Sequence, residues 1–381
     1  MLRVMHISSS LQHGGIEKLI YQFAAHLDRK KYHVSACALD ADGVYGDEIR
    51  RVGGEVSVLR KNPGIDPKLW PKLYRLFKKE KVDIVHTHNF SPLFYAAIPA
   101  RLAGVKALIH TEHARTEFPD LKKRMVAERW LSYFADRFTA VSPRVKRDLI
   151  EHEKITPEKI QMIWNGIDSV LPPVDRPPED VRRDLGISPT APIVGVCCRL
   201  KPQKGIQYLL EAAPAILKVH PETKFLIVGD GDLKPRLQEL AGGLGVEESV
   251  VFAGFKSEIY DFLATFDVYV LPSLYEGTPL GLLEAMLLSR SVVATNVGSN
   301  AEIVQNDVSG KLVEPKRPDQ LSNAISSLLA NRKAREDMGR IARDKVLGLF
   351  SLDRMISEYE LLYESLLSKN VNSHGDSNGV I

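Results

Sequence analysis

Short apolar runs alternate with amphipathic stretches from the first residues of the chain onward. The runs predict β-strands at residues 2–7, 34–39, 56–59, 84–86, 107–110 and 138–141. Between them, apolar residues recur at helical spacing, for example at residues 15–27, 67–79 and 91–103. This alternation is typical of a parallel sheet with crossover helices.

A proline-rich stretch interrupts the alternation, with prolines at 172, 173, 177 and 178, and its composition suits a linker between domains. The pattern then restarts, with strands predicted at residues 193–198, 225–228, 250–253, 268–271, 291–294 and 310–313 and helices at 205–219, 234–244 and 279–288. The sequence therefore predicts two doubly wound α/β domains, residues 1–175 and 186–350. Ligands of such sheets bind beyond the carboxyl ends of the strands, so the residues that follow each strand are the first candidates for chemistry.

Length and composition agree with two globular domains. The chain has 381 residues, more than one hydrophobic core usually spans, and is 44% hydrophobic and 26% charged. The net charge of +3 divides unevenly, because residues 1–185 carry 31 Lys and Arg against 24 Asp and Glu, and residues 186–381 carry 20 against 24. A basic first half suits nucleic acid, an anionic membrane surface or a phosphorylated substrate, and equally a solvated surface. No zinc-finger spacing, RNA-binding strand motif or basic heptad region supports nucleic-acid binding.

The cysteines and the first residues indicate a compartment. Only three cysteines occur, and Cys197 and Cys198 are adjacent in an apolar run, where a disulfide is unfavourable and no metal-ligand spacing exists. The first apolar run is shorter than a secretory signal needs, and no stretch approaches the roughly 20 apolar residues of a membrane span. We therefore expect a reducing compartment and a cytoplasmic protein, located in solution or on the inner face of the membrane.

The densest chemical signal is the segment LPSLYEGTPLGLLEAM, residues 271–286. Gly277, Pro279 and Gly281 follow a predicted strand and let backbone N–H groups approach an anion such as a diphosphate at a helix N-terminus. Glu276 and Glu284 would repel phosphates unless they faced hydroxyl groups, so the pair indicates recognition of sugar hydroxyls. The alternative is an ordinary strand-loop-helix with an acidic residue near the helix start.

This segment resembles the motif SxxEGxPxxxxEA of the family 4 retaining glycosyltransferases of the GT-B fold, also called glycosyl transferase group 1. The matching residues are Ser273, Glu276, Gly277, Pro279, Glu284 and Ala285. Thr278 departs from the hydrophobic residue that most members carry. The resemblance implies that Glu276 contacts hydroxyls of the donor sugar and that Glu284 binds the ribose. It further implies that the diphosphate meets the loop and helix start formed by Gly277, Thr278, Pro279, Leu280 and Gly281.

A second segment, VCCRLKPQKGI at residues 196–206, places Arg199 and Lys204 between a predicted strand and a helix. Two fixed cations in this position can neutralise a diphosphate and stabilise it as it leaves. Taken alone, the segment also fits a solvated basic loop. It resembles the family pattern GRLxxxKG, with Cys198 where glycine is usual, and the resemblance adds weight to a catalytic role for both cations.

Gly14 and Gly15 lie between the first predicted strand and its helix, where a two-glycine loop often merely permits a tight turn. The resemblance implies that this loop lines the cleft near the donor phosphates, and it makes Gly15 a donor-binding candidate, with His13 less supported. It likewise implies that the segment HTEHA, residues 110–114, contributes a cleft histidine near the donor sugar. We assign that role to His113, for which capping or packing is the alternative.

The histidines also raise the question of a metal site. His86, His88, His110 and His113 lie near the ends of two strands predicted to be neighbours, and imidazoles are good zinc ligands. No Asp, Glu or Cys in the pattern completes a convincing ligand set. We therefore predict no metal site, and strand-end positions more naturally place these histidines around a ligand.

Three further loops match the family at lower specificity. Gly229 lies in a VGDG loop, and Phe255 follows a strand at a position that lines the base pocket in the family. Both therefore become donor-binding candidates, although the Gly229 loop fits an ordinary turn without a ligand equally well. The turn at residues 165–168, NGID, is read as structural because Asn-Gly is a turn signal by itself.

Two helical patterns bear on partners and domain boundaries. Residues 121–134, LKKRMVAERWLSYF, combine Lys122, Lys123, Arg124 and Arg129 with an apolar face, which suits either an anionic bilayer carrying a lipid-linked acceptor or an ordinary surface helix. In GT-B proteins the terminal helix packs on the first domain, so we assign the helix at residues 351–368 to that domain. Residues 369–381 are polar and glycine-containing and are predicted to be disordered.

The sequence thus predicts a GT-B protein of two Rossmann-like domains facing across a cleft. The resemblance implies a retaining transfer from a nucleoside-diphosphate sugar, a co-substrate, to an acceptor hydroxyl of a glycan or lipid-linked glycan, with no cofactor, no metal and no nucleic-acid partner. It implies a same-face route in which a phosphate oxygen of the leaving diphosphate helps deprotonate the acceptor. The alternatives are a sugar-nucleotide epimerase or hydrolase of the same fold and a non-catalytic nucleotide-sugar-binding protein.

Overall fold

The structure is a computed structural model that describes residues 1–12, 14–113, 121–170 and 174–375. The chain folds into two compact units. Unit 1 comprises residues 1–166 together with the segment from residue 352 onward, and unit 2 comprises residues 167–351.

Strands and helices alternate through the first part of unit 1. In chain order they are β1 (Leu2–Ser10), α1 (Gly15–His26), β2 (Tyr32–Ala41), α2 (Val44–Arg51), β3 (Glu55–Val58), α3 (Leu69–Lys79), β4 (Ile84–His88), α4 (Phe90–Ala103), β5 (Ala107–Glu112), α5 (Leu121–Leu131), β6 (Arg137–Ala140), α6 (Pro143–Glu151) and β7 (Ile160–Met162).

The seven strands of unit 1 form one parallel sheet in the order β3-β2-β1-β4-β5-β6-β7. The chain moves outward from β1 to β3 and then returns to the other side of β1 with β4. The direction of winding therefore reverses between β1 and β4, and doubly wound sheets bind ligands at such a reversal.

The period of two in a strand sorts the side chains of this sheet onto two faces. Met5 of β1 and Val85 of β4 are register partners and belong to a hydrophobic core with residues of α3 and α4. Their neighbours His6 and His86 are register partners as well and therefore lie on the opposite face. On that face the ring of Phe23 from α1 stacks on His6 at 4.6 Å between centroids.

Unit 2 repeats the architecture. Its elements are α7 (Pro178–Asp184), β8 (Ile193–Cys197), α8 (Ile206–Val219), β9 (Lys224–Val228), α9 (Lys234–Gly243), β10 (Val250–Gly254), α10 (Ile259–Leu263), β11 (Val268–Leu271), α11 (Leu280–Leu287), β12 (Ser291–Thr295), α12 (Asn300–Ile303), β13 (Lys311–Val313), α13 (Pro318–Ala330) and α14 (Arg332–Leu349). The six strands are parallel in the order β10-β9-β8-β11-β12-β13, so the winding reverses between β8 and β11.

The last helix, α15 (Leu352–Gly375), belongs to unit 1 and covers its histidine face. The Tyr363 hydroxyl lies 2.8 Å from Nδ1 of His86. The Tyr359 hydroxyl lies 3.2 Å from the hydroxyl of Thr111 and 3.1 Å from that of Thr139. These buried polar groups are therefore paired through a helix that is distant from them in sequence.

The sequence prediction of two Rossmann-like, doubly wound domains is confirmed. Helix α2 was missed because its residues VYGDEIRR contain few apolar positions. The prediction of a disordered tail from residue 369 is wrong for residues 369–375, which continue α15. Neither glycine nor proline occurs between residues 352 and 374, so nothing in that stretch forces the helix to end. Residues 376–381 lie outside the described residues.

The boundary between the units lies between Gly166 and Ile167, before the proline-rich stretch rather than within it. The amide of Ile167 donates to the carbonyl of Phe350 at 2.8 Å, which ties this residue to unit 2. Pro178 begins α7 and so serves as a first-turn proline. Residues 171–173, which include Pro172 and Pro173, lie outside the described residues. Within the described ranges, no helix combines the length and the apolar character that crossing a membrane requires.

Candidate functional site

The winding reversal of unit 2 brings together the loops that follow β8 and β11. The amide of Leu274 donates to the carbonyl of Gln203 at 2.7 Å, and the Tyr275 hydroxyl donates to Oε1 of Gln203 at 2.9 Å. Two sequence segments that are far apart in the chain, residues 198–205 and 272–281, thus form one surface beyond the strand ends.

Glu276 and Lys204 meet at the centre of this surface. Nζ of Lys204 lies 2.6 Å from Oε1 of Glu276, and the Ser273 hydroxyl donates to the same oxygen at 2.6 Å. The side chain of Glu276 is only 6% exposed. Its second oxygen, Oε2, receives no hydrogen bond from the described residues, so it is the oxygen that can accept one from a ligand.

The charge of this pair is fixed by its surroundings. Burial by itself lowers the pKa of Lys204, but the charge of Glu276 and its hydrogen bond outweigh burial, and the pKa is raised. The ammonium therefore stays protonated beside the carboxylate. Removing one partner of a buried ion pair leaves an uncompensated charge and typically costs about 3–5 kcal/mol, so the pair holds its two loops in place.

A third loop, which follows β12, donates hydrogen bonds to the backbone of the Glu276 loop. The Thr295 hydroxyl donates to the carbonyl of Ser273 at 2.6 Å, and the Ser299 hydroxyl donates to the carbonyl of Gly277. Gly298 has a φ of 54°, and a Cβ at this position would overlap the carbonyl oxygen of Glu276. Our sequence reasoning missed this GSN turn, although its place directly after a strand was the available signal.

The tip of β9 fixes the position of Arg199. The amide of Cys198 donates to the carbonyl of Val228 at 3.0 Å, and the amide of Leu200 donates to the carbonyl of Asp230 at 2.9 Å. Gly229 lies between these bonds, where a Cβ would overlap the carbonyl oxygen of Cys198. The side chain of Arg199 is exposed and has no ion-pair partner within the described part of the chain. The backbone on either side of Arg199 is fixed by hydrogen bonds, and its guanidinium is available. This combination suits the binding of an anion.

Cys198 contributes a neutral group to this surface. Burial raises the pKa of its thiol to about 12, with Lys204 acting in the opposite direction. The thiol is therefore protonated near neutral pH and is no nucleophile. All three cysteines are free.

The loop after β11 leads into α11, which begins at Leu280 with Pro279 as its N-cap. Thr278 is buried in this loop. Gly281 lies over the buried ring of Tyr269, where a Cβ would come within 2.9 Å of the Tyr269 hydroxyl. The first turn of the helix is thus packed closely over β11.

Glu284 is held further along α11. It is 3% exposed, and the Tyr260 hydroxyl from α10 donates to its Oε1 at 3.2 Å. Phe255, which follows β10, is 51% exposed. The amide of Gly229 donates to the carbonyl of Gly254 at 2.8 Å, so Phe255 begins next to the tip of β9.

The remaining sequence candidates belong to unit 1. Gly15 is the first residue of α1, directly after the loop that follows β1. His13 lies outside the described residues. His113 follows β5 and is buried, and its amide donates to Oδ1 of Asn89, the N-cap of α4, at 3.2 Å. The candidates therefore form two groups, one at the strand ends of each unit.

His113 is the end of a hydrogen-bonded row of imidazoles. Its Nε2 lies 2.9 Å from Nδ1 of His88, and Nε2 of His88 lies 3.0 Å from Nδ1 of His6. Burial lowers the pKa of His6 and of His113 to about 3. The pKa of His88 and that of His86 are lowered well below the usual value, by burial first and then by the neighbouring histidines. All four rings are therefore neutral near neutral pH.

His110 lies on the other face of the sheet with two carboxylates. Its Nε2 is 3.5 Å from Glu112 and 3.4 Å from Glu128, and Arg124 lies within 3.7 Å of both acids. Burial lowers the pKa of His110, but the two carboxylates outweigh burial and raise it. The pKa of Glu128 is raised as well, by burial first and then by the charge of Glu112.

Among the residues that the structure describes, two groups of side chains have the composition of a metal site: His6, His86 and His88, and His110, Glu112 and Glu128. Sequence reasoning found no Asp, Glu or Cys that completed a ligand set, because Glu128 lies on a different element from His110 and Glu112. In the first group the nitrogens of His88 are both hydrogen-bonded, and those of His86 bond to Tyr363 and Thr111. The rings of His86 and His88 also stack on each other, with 4.5 Å between their centroids.

Comparison with known proteins shows which family of proteins the chain is similar to. Residues 13–170 match the family model described as Glycosyltransferase Family 4, and residues 178–345 match the model described as Glycosyl transferases group 1. A UDP-Gal:alpha-D-GlcNAc-diphosphoundecaprenol alpha-1,3-galactosyltransferase of Escherichia coli is 32% identical over 78% of this chain and 79% of its own length. An uncharacterized glycosyltransferase of Methanocaldococcus jannaschii is 30% identical over 75% of this chain and 76% of its own length.

The fold has close counterparts among solved structures. The Anabaena protein HepE, crystallised with UDP and glucose, superposes with a TM-score of 0.85 at 23% identity, covering 96% of this chain and 100% of that one. A glycosyltransferase of Rickettsia africae superposes with a TM-score of 0.81 at 22% identity, covering 96% and 98%. At these identities the likeness concerns the fold.

Replacing Gly298 by alanine should displace the Glu276 loop. The new methyl group would overlap the Glu276 carbonyl, and an alanine in the left-handed region costs about 1–2 kcal/mol in addition. Gly186→Ala is the matched control, because Gly186 has a φ of 66° with no atom within 4 Å of an added Cβ. We expect a larger loss of melting temperature for Gly298→Ala and faster hydrogen exchange at residues 272–281 in that variant alone. Equal effects of the two variants would contradict this account of the loop.

The neutral histidines should make unit 1 sensitive to acid. In the unfolded chain they protonate below pH 6.5, whereas His6 and His113 in the folded chain do so only near pH 3. Their contribution to stability is thus complete above pH 6.5 and is lost as the pH falls toward 3, at about 1.4 kcal/mol per pH unit for each ring. The pKa of His110 is raised, so its contribution to the stability of unit 1 is present at low pH and is lost as the pH rises.

Hydrogen exchange of β1 and β4, corrected for the intrinsic pH dependence, measures this loss. His6→Phe retains a ring against Phe23 and should lower the slope of unfolding free energy against pH by the amount that corresponds to one proton. His152→Gln, at an exposed site, should leave this slope unchanged. A stability of unit 1 that stays constant from about pH 7 to about pH 5 would contradict the prediction.

Proposed function

Because the chain belongs to the family 4 glycosyltransferases, glycosyl transferase group 1, we propose that it moves a sugar from a nucleoside-diphosphate sugar to an acceptor hydroxyl with retention of the anomeric configuration. The observation that carries the proposal is the buried Lys204–Glu276 pair at the winding reversal of unit 2. It presents a carboxylate oxygen for a hydroxyl group next to cations for a diphosphate.

Glu276 is proposed to bind hydroxyls of the transferred sugar through Oε2. Lys204 and Ser273 both bond to Oε1, which fixes the carboxylate plane and leaves its charge directed at the ligand. Charge-assisted hydrogen bonds of this kind are roughly twice as strong as neutral ones. Glu284, held by Tyr260, is proposed to bind the ribose.

The diphosphate is proposed to bind between Arg199, Lys204 and the start of α11. Arg199 has an available guanidinium, and the backbone of residues 277–281 enters the helix where the dipole favours anions. Gly15, Gly229 and Phe255 would complete the donor site, with Phe255 against the base. As the glycosidic bond breaks, negative charge grows on the diphosphate, and fixed cations then stabilise the transition state more than the ground state.

The reaction is proposed to need no metal ion and no cofactor. The leaving diphosphate would depart on the face from which the acceptor attacks, and one of its oxygens would take the acceptor proton. The family resemblance favours this same-face route over a covalent intermediate on Glu276. His113 would contact the donor sugar from unit 1.

We propose a uridine diphosphate hexose as donor and a lipid-linked glycan as acceptor, in cell-surface polysaccharide or glycolipid synthesis. Two relatives support this choice: the Escherichia coli protein is named for UDP-Gal and a GlcNAc-diphosphoundecaprenol, and HepE was crystallised with UDP-glucose. A panel of nucleotide sugars screened by thermal shift tests the donor, because a ligand at 100 times its Kd stabilises a protein by about 2.7 kcal/mol.

Glu276→Gln, Arg199→Ala and Lys204→Ala should each lower turnover by about 10²–10³ or more, because each removes a charge that stabilises the leaving diphosphate or orients the sugar. Initial rates with the donor from the panel measure this. Lys201→Ala is the matched control, since Lys201 lies in the same loop but pairs with Asp232 on the surface.

Melting curves accompany these rates, because Lys204→Ala leaves Glu276 buried and unpaired. Near-normal turnover in all three variants would refute the proposed site. Release of free sugar or an isomer without acceptor would favour an epimerase or hydrolase. Donor binding without any turnover would favour a binding protein.

The protein is also proposed to contact the inner membrane face through α4 and α5. Val126 is 69% exposed and Trp130 63% exposed on α5, Leu102 is 69% exposed on α4, and Lys122 and Lys123 lie at the start of α5. Apolar side chains next to basic ones suit an anionic bilayer, from which a lipid-linked acceptor would be taken.

Trp130→Ser should reduce binding to vesicles that contain phosphatidylglycerol by about tenfold, because it removes the largest apolar group from this surface. Co-sedimentation measures the bound fraction. Leu361→Ser is the control, since Leu361 is 66% exposed on α15. Equal binding to phosphatidylcholine vesicles, or an equal loss in the control, would contradict the membrane contact.

A further inference from the structure

The cluster of His110, Glu112 and Glu128 contains a histidine whose ring is oriented by a neighbouring hydroxyl. The Thr87 hydroxyl donates its single proton to the carbonyl of Ile109 at 3.3 Å. The same oxygen lies 2.9 Å from Nδ1 of His110, so it accepts a hydrogen bond there and Nδ1 carries a proton. Histidines that bind a metal ion are commonly fixed in this way, through the nitrogen that does not face the ion.

The other ring nitrogen, Nε2 of His110, faces two carboxylates. It lies 3.4 Å from Oε1 of Glu128 and 3.5 Å from Oε2 of Glu112. Neither this nitrogen nor Oε1 of Glu128 has a hydrogen-bond partner among the described residues, although both are buried. The potential ligand atoms of the three side chains all lie within 4.8 Å of one another. Lone pairs from three side chains therefore meet at one place, and they require a proton or a metal ion between them.

The distances favour a metal ion over a shared proton. A charge-assisted N–H···O hydrogen bond measures about 2.7–2.9 Å. The buried pair of Lys204 and Glu276 in unit 2 is as close as this, at 2.6 Å. Nitrogen and oxygen ligands of zinc lie about 2.0–2.2 Å from the ion, so two ligands of a tetrahedral site are about 3.3–3.6 Å apart. The 3.4 Å and 3.5 Å separations around Nε2 of His110 agree with the second geometry.

Arg124 is the member of the cluster through which an ion can enter. Its side chain is 28% exposed, whereas those of the three potential ligands are at most 5% exposed. Its guanidinium lies 3.4 Å from Glu112 and 3.7 Å from Glu128, so it is held loosely. When the guanidinium turns toward the solvent, both acids become accessible from its side. An ion can also bind while the chain folds, because metal binding and folding are coupled.

We propose that His110, Glu112 and Glu128 bind one divalent first-row metal ion, with zinc as the ion that suits an imidazole and two carboxylates in tetrahedral geometry. Water takes the fourth position. His110 and Glu112 are two residues apart on β5 and share a face of the sheet, whereas Glu128 lies on α5. The ion therefore fastens α5 to β5. It takes no part in the proposed sugar transfer, and the proposal does not depend on that function.

Calorimetric titration of the chelator-treated full chain with zinc chloride tests the site. We expect one zinc ion per chain, verified by metal analysis after dialysis. Bound zinc should also slow hydrogen exchange at residues 121–131, because it joins α5 to the sheet. A chain that binds no zinc at this stoichiometry, or whose α5 exchanges equally fast with and without zinc, would overturn the proposal.

Three variants locate the ion. Glu128→Gln keeps the size of the side chain but removes the ligand charge, and it should abolish stoichiometric zinc binding. Thr87→Val removes the hydrogen bond that orients the imidazole and should weaken zinc binding by about 10–100-fold. Glu151→Gln, at an exposed acid on α6, is the control and should bind zinc as the unsubstituted chain does. Zinc binding that persists in Glu128→Gln would place the ion elsewhere and overturn the proposal.

Arg124→Gln distinguishes a metal site from a network of ion pairs. The guanidinium competes with the metal ion for the two acids, so its removal should make zinc bind more tightly. In a network that needs Arg124 for its stability, the variant would lose melting temperature and bind zinc no better, and that result would contradict the proposal. Melting curves without zinc verify that each variant folds. If Glu128→Gln does not fold, the titrations of the unsubstituted chain and of Arg124→Gln decide.

Discussion

The ion pair between Lys204 and Glu276 connects the two halves of the sheet in unit 2 at the place where the winding reverses. One partner follows β8 and the other follows β11, so their bond forms only when these strands are neighbours and in register. The loops after β9 and β12 then bind to the same two loops, through Gly229 and Gly298. The positions of the loops that carry the unit 2 residues of the proposed donor site therefore depend on a pair of charges that are stable in the interior only together.

Unit 1 has the same topology but a different kind of site. Its winding reversal brings histidines together instead of an ion pair, and burial keeps them neutral. Hydrogen bonds between neutral rings carry direction rather than charge. Lys204 and Glu276, the buried charges of the candidate site, both belong to unit 2.

The fold was predictable from sequence, because period-two apolar runs, helical spacing and turn residues are local signals. The pairing of Lys204 with Glu276 was not, since the spacing of Glu276 and Glu284 gives no information on a residue more than 70 positions away. Gly298 was missed because the need for glycine comes from its close approach to the carbonyl of Glu276, which is also distant in sequence. The alternation of His6 with Met5 and of His86 with Val85 would have placed both histidines on one face, had the strand order been known.

The covering of that histidine face by α15 has a consequence for the order of events during synthesis. Tyr359 and Tyr363 pair with Thr111, Thr139 and His86, yet they are translated after all of unit 2. The first sheet therefore leaves the ribosome while these polar groups are still unpaired. Helix α15, which pairs with them, emerges only after every residue of unit 2 has been made. The unit that begins the chain is the last to be completed, and chaperones that bind exposed sheet surfaces would find it available for most of the time that translation takes.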